Sequence, residues 1–220
     1  MEISREFLID FLNIGTFIQF VTALISTIYF KKYNNTILKY FSFILWYTFI
    51  NEIVGILIVD YYSRFNAIIY NIYHVINFFF LFLIYREFIN SNRLKKSIMF
   101  FILIYIMSFI INGFYENYLK EFQSIPYIIA ASLMITTIIL YFSELLNSEK
   151  VLNTNKNLLF WISVGLLIFF VGNIPFRIVR NYYTDLEGIT ILFLINIILT
   201  IIMNLCFIIG FIWSDSRQQY

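Results

Sequence analysis

Long apolar runs separated by short polar connections dominate the chain. About 20 residues of α-helix cross a hydrocarbon core about 30 Å thick, and seven of the runs reach that length. Each run is continuously apolar, whereas the strands of a membrane barrel alternate in polarity over segments of about ten residues. The pattern therefore predicts an all-α membrane protein, a bundle of seven transmembrane helices, at positions 11–30, 41–59, 65–85, 97–114, 125–146, 158–179 and 189–213.

The composition agrees with this pattern, since 61% of the residues are apolar and only 13% are charged. Too few polar groups remain to cover a water-facing surface, so the lipid bilayer is the expected surrounding partner. The connections are too short to form a soluble domain, and we expect residues 1–220 to make a single transmembrane domain. The net charge of +2 is dispersed between apolar runs, which excludes nucleic-acid binding.

The distribution of Lys and Arg predicts the orientation, because cytoplasmic connections retain positive charge during insertion. One side of the predicted bundle holds twice as many basic residues as the other. This side is therefore expected to be cytoplasmic, with the N-terminus outside, the C-terminus in the cytoplasm, and the chain a multi-pass protein of the cell inner membrane. The basic residues of the two sides are Lys31, Lys32, Lys39, Arg86, Arg93, Lys95, Lys96, Lys150, Lys156 and Arg217 against Arg5, Arg64, Lys120, Arg177 and Arg180.

A layer of polar residues is predicted in the outer half of the bundle. Counting about 1.5 Å of rise per residue from the outer end of each helix places five of them about 10 Å below the surface. Gln19 lies slightly deeper, and His74 lies one turn below Asn71. On the third helix, Asn71, His74 and Asn77 form a stripe expected to face protein. The five residues at the common depth are Glu52, Asn71, Ser132, Asn173 and Asn196.

Glu52 is the strongest candidate for a functional role. A carboxylate inside the bilayer costs at least about 2.5 to 3.5 kcal/mol, so Glu52 must be protonated, paired or functional. If Glu52 meets His74, the pair is a candidate proton-sensitive switch. One His and one Glu are too few ligands for a metal centre, so neither a metal nor another cofactor is expected. The plainer alternative is that the polar residues hydrogen-bond between helices and stabilise packing.

Arg177 and Arg180 are expected at the outer mouth of the bundle. There they snorkel to lipid headgroups or attract an anionic ligand. No Lys lies in the seventh helix to hold retinal, and no protease or nucleotide-binding motif occurs in the sequence. The chain is accordingly not expected to be an enzyme.

Several motifs resemble those of seven-helix membrane proteins of Bacteroidota. They are Asn51-Glu52, Tyr70-Asn71-Ile72-Tyr73, the segment 160–167 with Gly172-Asn173, and Asn196. The function of that set is not established, but its members are often encoded beside sensor histidine kinases and response regulators. The resemblance implies a signalling role. An acidic residue late in the third helix is common in the set, and this chain has Asn77 there, which argues against a mechanism with two carboxylates.

Three functions remain open at this point. The first is a receptor-like sensory or regulatory module that binds a ligand or proton in the polar layer and signals through a separate partner. The second is a transporter or an oligomeric membrane pore, including an accessory protein of a defence system, in which Glu52 and the polar stripes line a path; a homo-oligomer is possible there. The third is a lipid-modifying enzyme that uses Glu52 and His74 as acid and base.

Overall fold

The structure is a computed structural model that describes residues 5–62, 66–147, 154–179 and 186–215. These residues form seven long α-helices and a short 3₁₀ helix, Phe30–Tyr33, and they contain no strand. The α-helices are α1 Arg5–Ile28, α2 Lys39–Tyr62, α3 Ala67–Phe88, α4 Asn92–Asn112, α5 Ser124–Leu146, α6 Leu158–Val179 and α7 Leu186–Trp213.

Every one of these seven helices is long and apolar enough to cross a membrane. Large apolar side chains such as Phe17, Ile28 and Phe100 are exposed on their outer surfaces, with 64%, 75% and 59% of their area accessible. A water-soluble protein rarely exposes so much contiguous apolar surface, whereas lipid chains accommodate it. The protein is therefore a polytopic integral membrane protein, as the pattern of apolar runs predicts.

The helices pack as a closed ring of six with one helix outside it. Going round the ring, α1 contacts α2, α2 contacts α3, α3 contacts α5, and α6 and α7 return to α1. Helix α4 packs only against the outer sides of α3 and α5. Helices α2 and α3, which are joined by a short connection, pack against each other. The ring encloses the interior in which the candidate site lies.

Helix α4 begins at Asn92, five residues before the predicted start of the apolar run. The carboxylate of Glu144, on α5, explains part of this extension. It accepts hydrogen bonds from the backbone N–H of Asn90 at 2.8 Å and of Ser91 at 3.0 Å. An anion beside a helix N-terminus satisfies donors that the helix cannot, so α4 starts among polar residues that hydropathy alone assigns to a loop.

The connections 29–38 and 154–157, together with residues 214–215, lie at the end of the bundle that we call the basic end. Beneath them the interior is filled by aromatic rings. The ring centroids of Phe41 and Phe207 are 5.2 Å apart, those of Phe41 and Phe211 are 6.4 Å apart, and those of Tyr33 and Phe211 are 5.9 Å apart. We call these four residues the aromatic floor. All four are almost completely buried, so the bundle is tightly packed here.

A set of polar contacts, which we call the clasp, ties the basic end together. The hydroxyl groups of Tyr33 and Ser214 are hydrogen-bonded, and Nζ of Lys32 donates to the carbonyl oxygen of Phe211 at 3.2 Å. The backbone N–H of Asp215 donates to the carbonyl of Lys156 at 2.8 Å. The clasp therefore connects the end of α7 to both the α1–α2 and the α5–α6 connections.

Burial shifts the titration of two groups in the clasp. Desolvation lowers the pKa of Lys32, although the nearby Asp215 opposes that shift. Desolvation also raises the pKa of Tyr33 to about 12, against the opposing effect of its hydrogen bond with Ser214. Both shifts have the sign expected when the charged form of a group is moved away from water.

Candidate functional site

A cavity of about 160 Å³ lies inside the ring of six helices, above the aromatic floor. Side chains from α1, α2, α3, α5, α6 and α7 line it, and none comes from α4. Its walls combine apolar side chains with an unusual number of polar ones for the interior of a membrane protein. The polar residues are Gln19, Thr48, Asn51, Glu52, Tyr70, Tyr73, His74, Asn77, Tyr127, Arg177, Asn196, Thr200 and Asn204.

The carboxyl group of Glu52 lies on the α2 side of this cavity. The hydroxyl of Tyr70, on α3, donates a hydrogen bond to Oε2 of Glu52 at 3.2 Å. Gly55 leaves space for that tyrosine, since a Cβ at this position would lie 2.7 Å from the hydroxyl of Tyr70. The glycine one turn along α2 thus allows the tyrosine to reach the carboxyl group.

The guanidinium group of Arg177, on α6, also lines this cavity. Its Nη2 atom lies 3.2 Å from Nε2 of His74, and its carbon lies 4.2 Å from the ring centroid of Tyr127, a cation–π distance. A guanidinium only donates hydrogen bonds, so Nε2 of His74 must be the acceptor and the imidazole must be neutral. The Nε atom of Arg177 is buried and has no hydrogen-bond partner. Arg177 is thus held on two sides and keeps a free donor.

Amide and hydroxyl groups of α7 complete the wall. The side-chain amide of Asn173, on α6, donates to the side-chain oxygen of Asn196. Below it, the hydroxyl of Thr200 donates to the backbone oxygen of Asn196 at 2.9 Å, and the amide of Asn204 donates to the backbone oxygen of Thr200 at 2.8 Å. The side-chain oxygens of Gln19 and Asn173 are buried without a partner. The interior therefore offers acceptors as well as donors.

Comparisons with known proteins identify no relative. No protein-family model matches the sequence, and neither a curated protein nor a solved structure shows significant similarity to it. A fold does not by itself define a function, so a function has to be inferred from the side chains of the cavity.

The structure brings four of the predicted site residues together in one cavity, namely Gln19, Glu52, His74 and Asn196. Asn173 joins them through its hydrogen bond with Asn196. Ser132, in contrast, is exposed on the outer face of α5 and does not line the cavity. Counting depth along a helix cannot detect this difference, because it takes no account of the direction in which a side chain points.

Asn71 faces the connection between α4 and α5 instead of the cavity. Its side-chain amide donates to the carbonyl oxygens of Tyr118 and Glu121, both at 2.9 Å. Its side-chain oxygen accepts the backbone N–H of Gln123 at 3.1 Å. Asn71 is only 2% exposed and uses all of these bonds to hold a loop, which is the structural role that the plainer alternative expects.

Arg177 points into the bundle, where its contacts with His74 and Tyr127 hold it. Of the two roles expected at the outer mouth, this direction disagrees with snorkelling to lipid headgroups, and the attraction of an anionic ligand stays a prediction. Arg180, the other residue predicted at the mouth, lies outside the described residues.

Sequence reasoning assigned the tyrosines of the cavity no place in the site, and it named Tyr70 and Tyr73 only within a motif of the resemblance. A signal was available on α3, because residues at spacings of three and four share one face of a helix. Tyr70, Tyr73, His74 and Asn77 follow that spacing and line the cavity together. Asn71 lies about 100° away from Tyr70 on the same helix, at the edge of that face.

Metal binding finds little support in the geometry. Within the described ranges, no group of three or more His, Cys, Asp or Glu side chains is arranged to hold a metal ion. Glu52 and His74 line the same cavity, but the contacts of each are with other partners, Tyr70 and Arg177.

A second, larger cavity of about 720 Å³ opens at the basic end. Its lining includes Lys39, Glu87, Glu144 and Asn157, and none of the predicted site residues contributes to it. Since Glu144 already binds the start of α4, this cleft lies among groups with structural roles. The central cavity is the better candidate for a functional site, because it places Glu52 and Arg177 in the interior of the bundle and contains most of the residues predicted for the polar layer.

Proposed function

We propose that this protein is a receptor-like sensory or regulatory module that binds a small polar ligand in the central cavity and signals through a separate partner at the basic end. The observation that carries the proposal is the presence of Glu52 and Arg177 in one cavity lined by six helices. A ligand held there contacts almost every helix of the bundle at once.

The cost of these charges supports a functional site. Charged groups inside a membrane bundle are expensive, and apolar side chains of similar volume often stabilise a protein as well or better. A bundle that needed only packing would gain nothing from a guanidinium with a free buried donor. A ligand with complementary groups would repay that cost when it binds.

The structure between the cavity and the basic end supports a sensory role over transport of a solute. The aromatic floor fills the interior below the cavity, so the described conformation has a closed lower end. Helix α7 contributes Asn196 and Asn204 to the cavity and ends at the clasp through Ser214. Movement of α7 caused by a ligand would therefore reach the connections at the basic end. The resemblance to proteins encoded beside sensor kinases supports the same proposal.

Native tryptophans allow a direct test. Trp161 and Trp213 lie side by side at the basic end, with ring centroids 6.0 Å apart, and the sequence has one other tryptophan, Trp46. In a Trp46→Phe background in lipid nanodiscs, all of this protein's tryptophan fluorescence comes from the basic end. We expect one class within a panel of small acids, amines, amino acids and sugars to change this fluorescence saturably, although the cavity lies elsewhere in the bundle.

Matched variants decide what such a change means. Arg177→Gln should abolish the response, whereas Ser132→Ala, on the exposed face of α5, should keep it. A panel member that binds with no change at the basic end would argue against sensing. Transport of that compound into proteoliposomes, with turnover, would favour the transporter alternative instead.

A further inference from the structure

The charges that line the central cavity restrict what it can bind. Arg177 is positively charged at any accessible pH, because a guanidinium does not lose its proton in proteins. His74 is neutral, since its Nε2 accepts the hydrogen bond from Arg177. Glu52 carries the only carboxyl group among the described lining residues. The described lining is therefore neutral when Glu52 is ionised and carries one positive charge when Glu52 is protonated.

The carboxyl and guanidinium groups line the same cavity. Tyr70, which donates a hydrogen bond to Glu52, lines it with Arg177. An anion bound at Arg177 therefore shares one cavity with the carboxyl group of Glu52. Inside a bundle surrounded by lipid, an uncompensated charge is costly, so binding an anion requires Glu52 to take up a proton.

Besides Glu52 and Arg177, the polar side chains of the described lining carry phenol, imidazole, amide and hydroxyl groups, and the imidazole of His74 already accepts a hydrogen bond from Arg177. The groups that face Glu52 and Arg177 across the cavity are Tyr70, Tyr73, His74, Tyr127, Gln19 and Asn196.

The shape of the site favours a carboxylate with a small apolar body. The guanidinium edge of Arg177 is fixed by His74 and Tyr127 and retains a free Nε donor, which suits the planar, two-oxygen geometry of a carboxylate. The ring of Phe78 provides an apolar wall beside them, with its centroid 6.4 Å from that of His74 and 5.5 Å from that of Tyr127. A volume of about 160 Å³ is close to that of an engineered apolar cavity of about 150 Å³ that binds benzene.

We propose that the central cavity binds a small organic monocarboxylate together with one proton, the carboxylate at Arg177 and the proton on Glu52. This inference rests on the proposed function and names the class of its ligand. Ligand and proton enter as an anion and a cation, so the occupied cavity holds the same net charge as the empty one. The protein would then respond to a weak acid more strongly as the outside pH falls.

Benzoate and butyrate are suitable probes, measured by isothermal titration calorimetry in nanodiscs. Repeating the titration in buffers of different ionisation enthalpy gives the number of protons taken up, and we expect one per anion bound. The affinity should fall about tenfold for each unit of pH in the range where Glu52 is ionised in the free protein, as linkage of one proton to one ligand requires. Uptake of no proton in the wild type would overturn the proposal.

Glu52→Gln separates this mechanism from binding of the neutral acid. The two mechanisms give the same pH dependence in the wild type. The variant has a permanently neutral side chain, so it should bind benzoate with no proton uptake and a nearly constant affinity between pH 6 and 8. An affinity in the variant that still falls about tenfold per unit of pH would show that the ligand carries the proton, and would refute the role of Glu52.

Two further variants complete the design. Arg177→Gln should reduce benzoate affinity at least tenfold at every pH, while Glu87→Gln, an exposed acid at the basic end, should leave it unchanged. Binding of a zwitterion such as alanine with the tryptophan response intact, and no binding of monocarboxylates, would refute this inference but leave the proposed function standing. Monocarboxylate binding without any tryptophan response at the basic end would support this inference about the ligand and refute the proposed sensory function.

Discussion

Asn71→Ala is expected to loosen the connection between α4 and α5 without affecting the cavity. The substitution removes two hydrogen bonds to the carbonyl oxygens of Tyr118 and Glu121 and one from the backbone N–H of Gln123. A typical hydrogen bond contributes about 0.5 to 1.5 kcal/mol net, and its loss costs more where the abandoned partner stays buried. The three together predict a loss of about 2 to 4 kcal/mol.

Trypsin provides the local assay, because Lys120 is exposed within this connection. Cleavage after Lys120 should be faster in Asn71→Ala than in the wild type, and mass spectrometry of the fragments identifies the site. The unfolding free energy in mixed micelles measures the loss of stability. Asn77→Ala is the matched control, since it makes the same change two turns along α3 and lines the cavity instead.

The two variants should therefore differ in the rate of cleavage after Lys120 and in the unfolding free energy. If Asn71→Ala is cleaved after Lys120 no faster than Asn77→Ala and unfolds with the same free energy, Asn71 does not hold the loop. The interpretation of its three hydrogen bonds would then be wrong. If Asn71→Ala instead removes the ligand response and keeps the loop protected, Asn71 belongs to the functional site.

Two further predictions concern the basic end and the packing of α6 on α7. Gly210→Ala places a methyl group 2.7 Å from Cβ of Trp161 and should destabilise the protein by about 1 to 3 kcal/mol, whereas Gly15→Ala, 3.4 Å from its nearest neighbour, should be neutral in the same micelle unfolding assay. The pKa of Tyr33 rises from its ordinary value of 10.0 to about 12, so the unfolded chain loses this proton first and stability falls as pH rises from 10 to 12. The unfolding free energy of Tyr33→Phe should fall less steeply between pH 10 and 12 than that of the wild type. Equal slopes in the two proteins would contradict the raised pKa of Tyr33.

The fold was predictable because hydrocarbon imposes a simple rule. A continuous apolar run of about 20 residues has one stable solution in lipid, so the seven runs predict seven helices. Only the ends of the helices differ from the predicted bounds. At the start of α4, the difference depends on a hydrogen-bond partner far along the chain. Helix α4 begins at Asn92 because Glu144, on another helix, accepts hydrogen bonds from the residues before it. No property of the segment 89–97 alone contains that information.

The candidate site was predicted from depth, which leaves the direction of a side chain open. Helical rise placed Glu52 and Asn196 at one level and His74 one turn below Asn71, and Glu52, His74 and Asn196 line the central cavity together. Direction depends on how each helix is rotated within the bundle, and the packing of the whole molecule sets that rotation. Asn71 and Ser132, predicted at the level of Glu52, face a loop and the outer surface. Arg177 points inward because His74 and Tyr127, on two other helices, hold its guanidinium.

The packing of α6 against α7 indicates which contact must change when a ligand binds. Gly165, Gly172 and Gly210 let the two helices approach so closely that a methyl group at any of them would lie within about 3 Å of the other helix. Interfaces built on small residues are rigid because backbones meet directly. A displacement at Asn196 is therefore expected to carry α6 and α7 together. The contacts that have to give way are the hydrogen bonds of Tyr33 with Ser214 and of Lys32 with the carbonyl oxygen of Phe211, since both join this pair of helices to the α1–α2 connection. A signal from the cavity would consequently appear at the clasp, about 27 Å of helix away from Asn196.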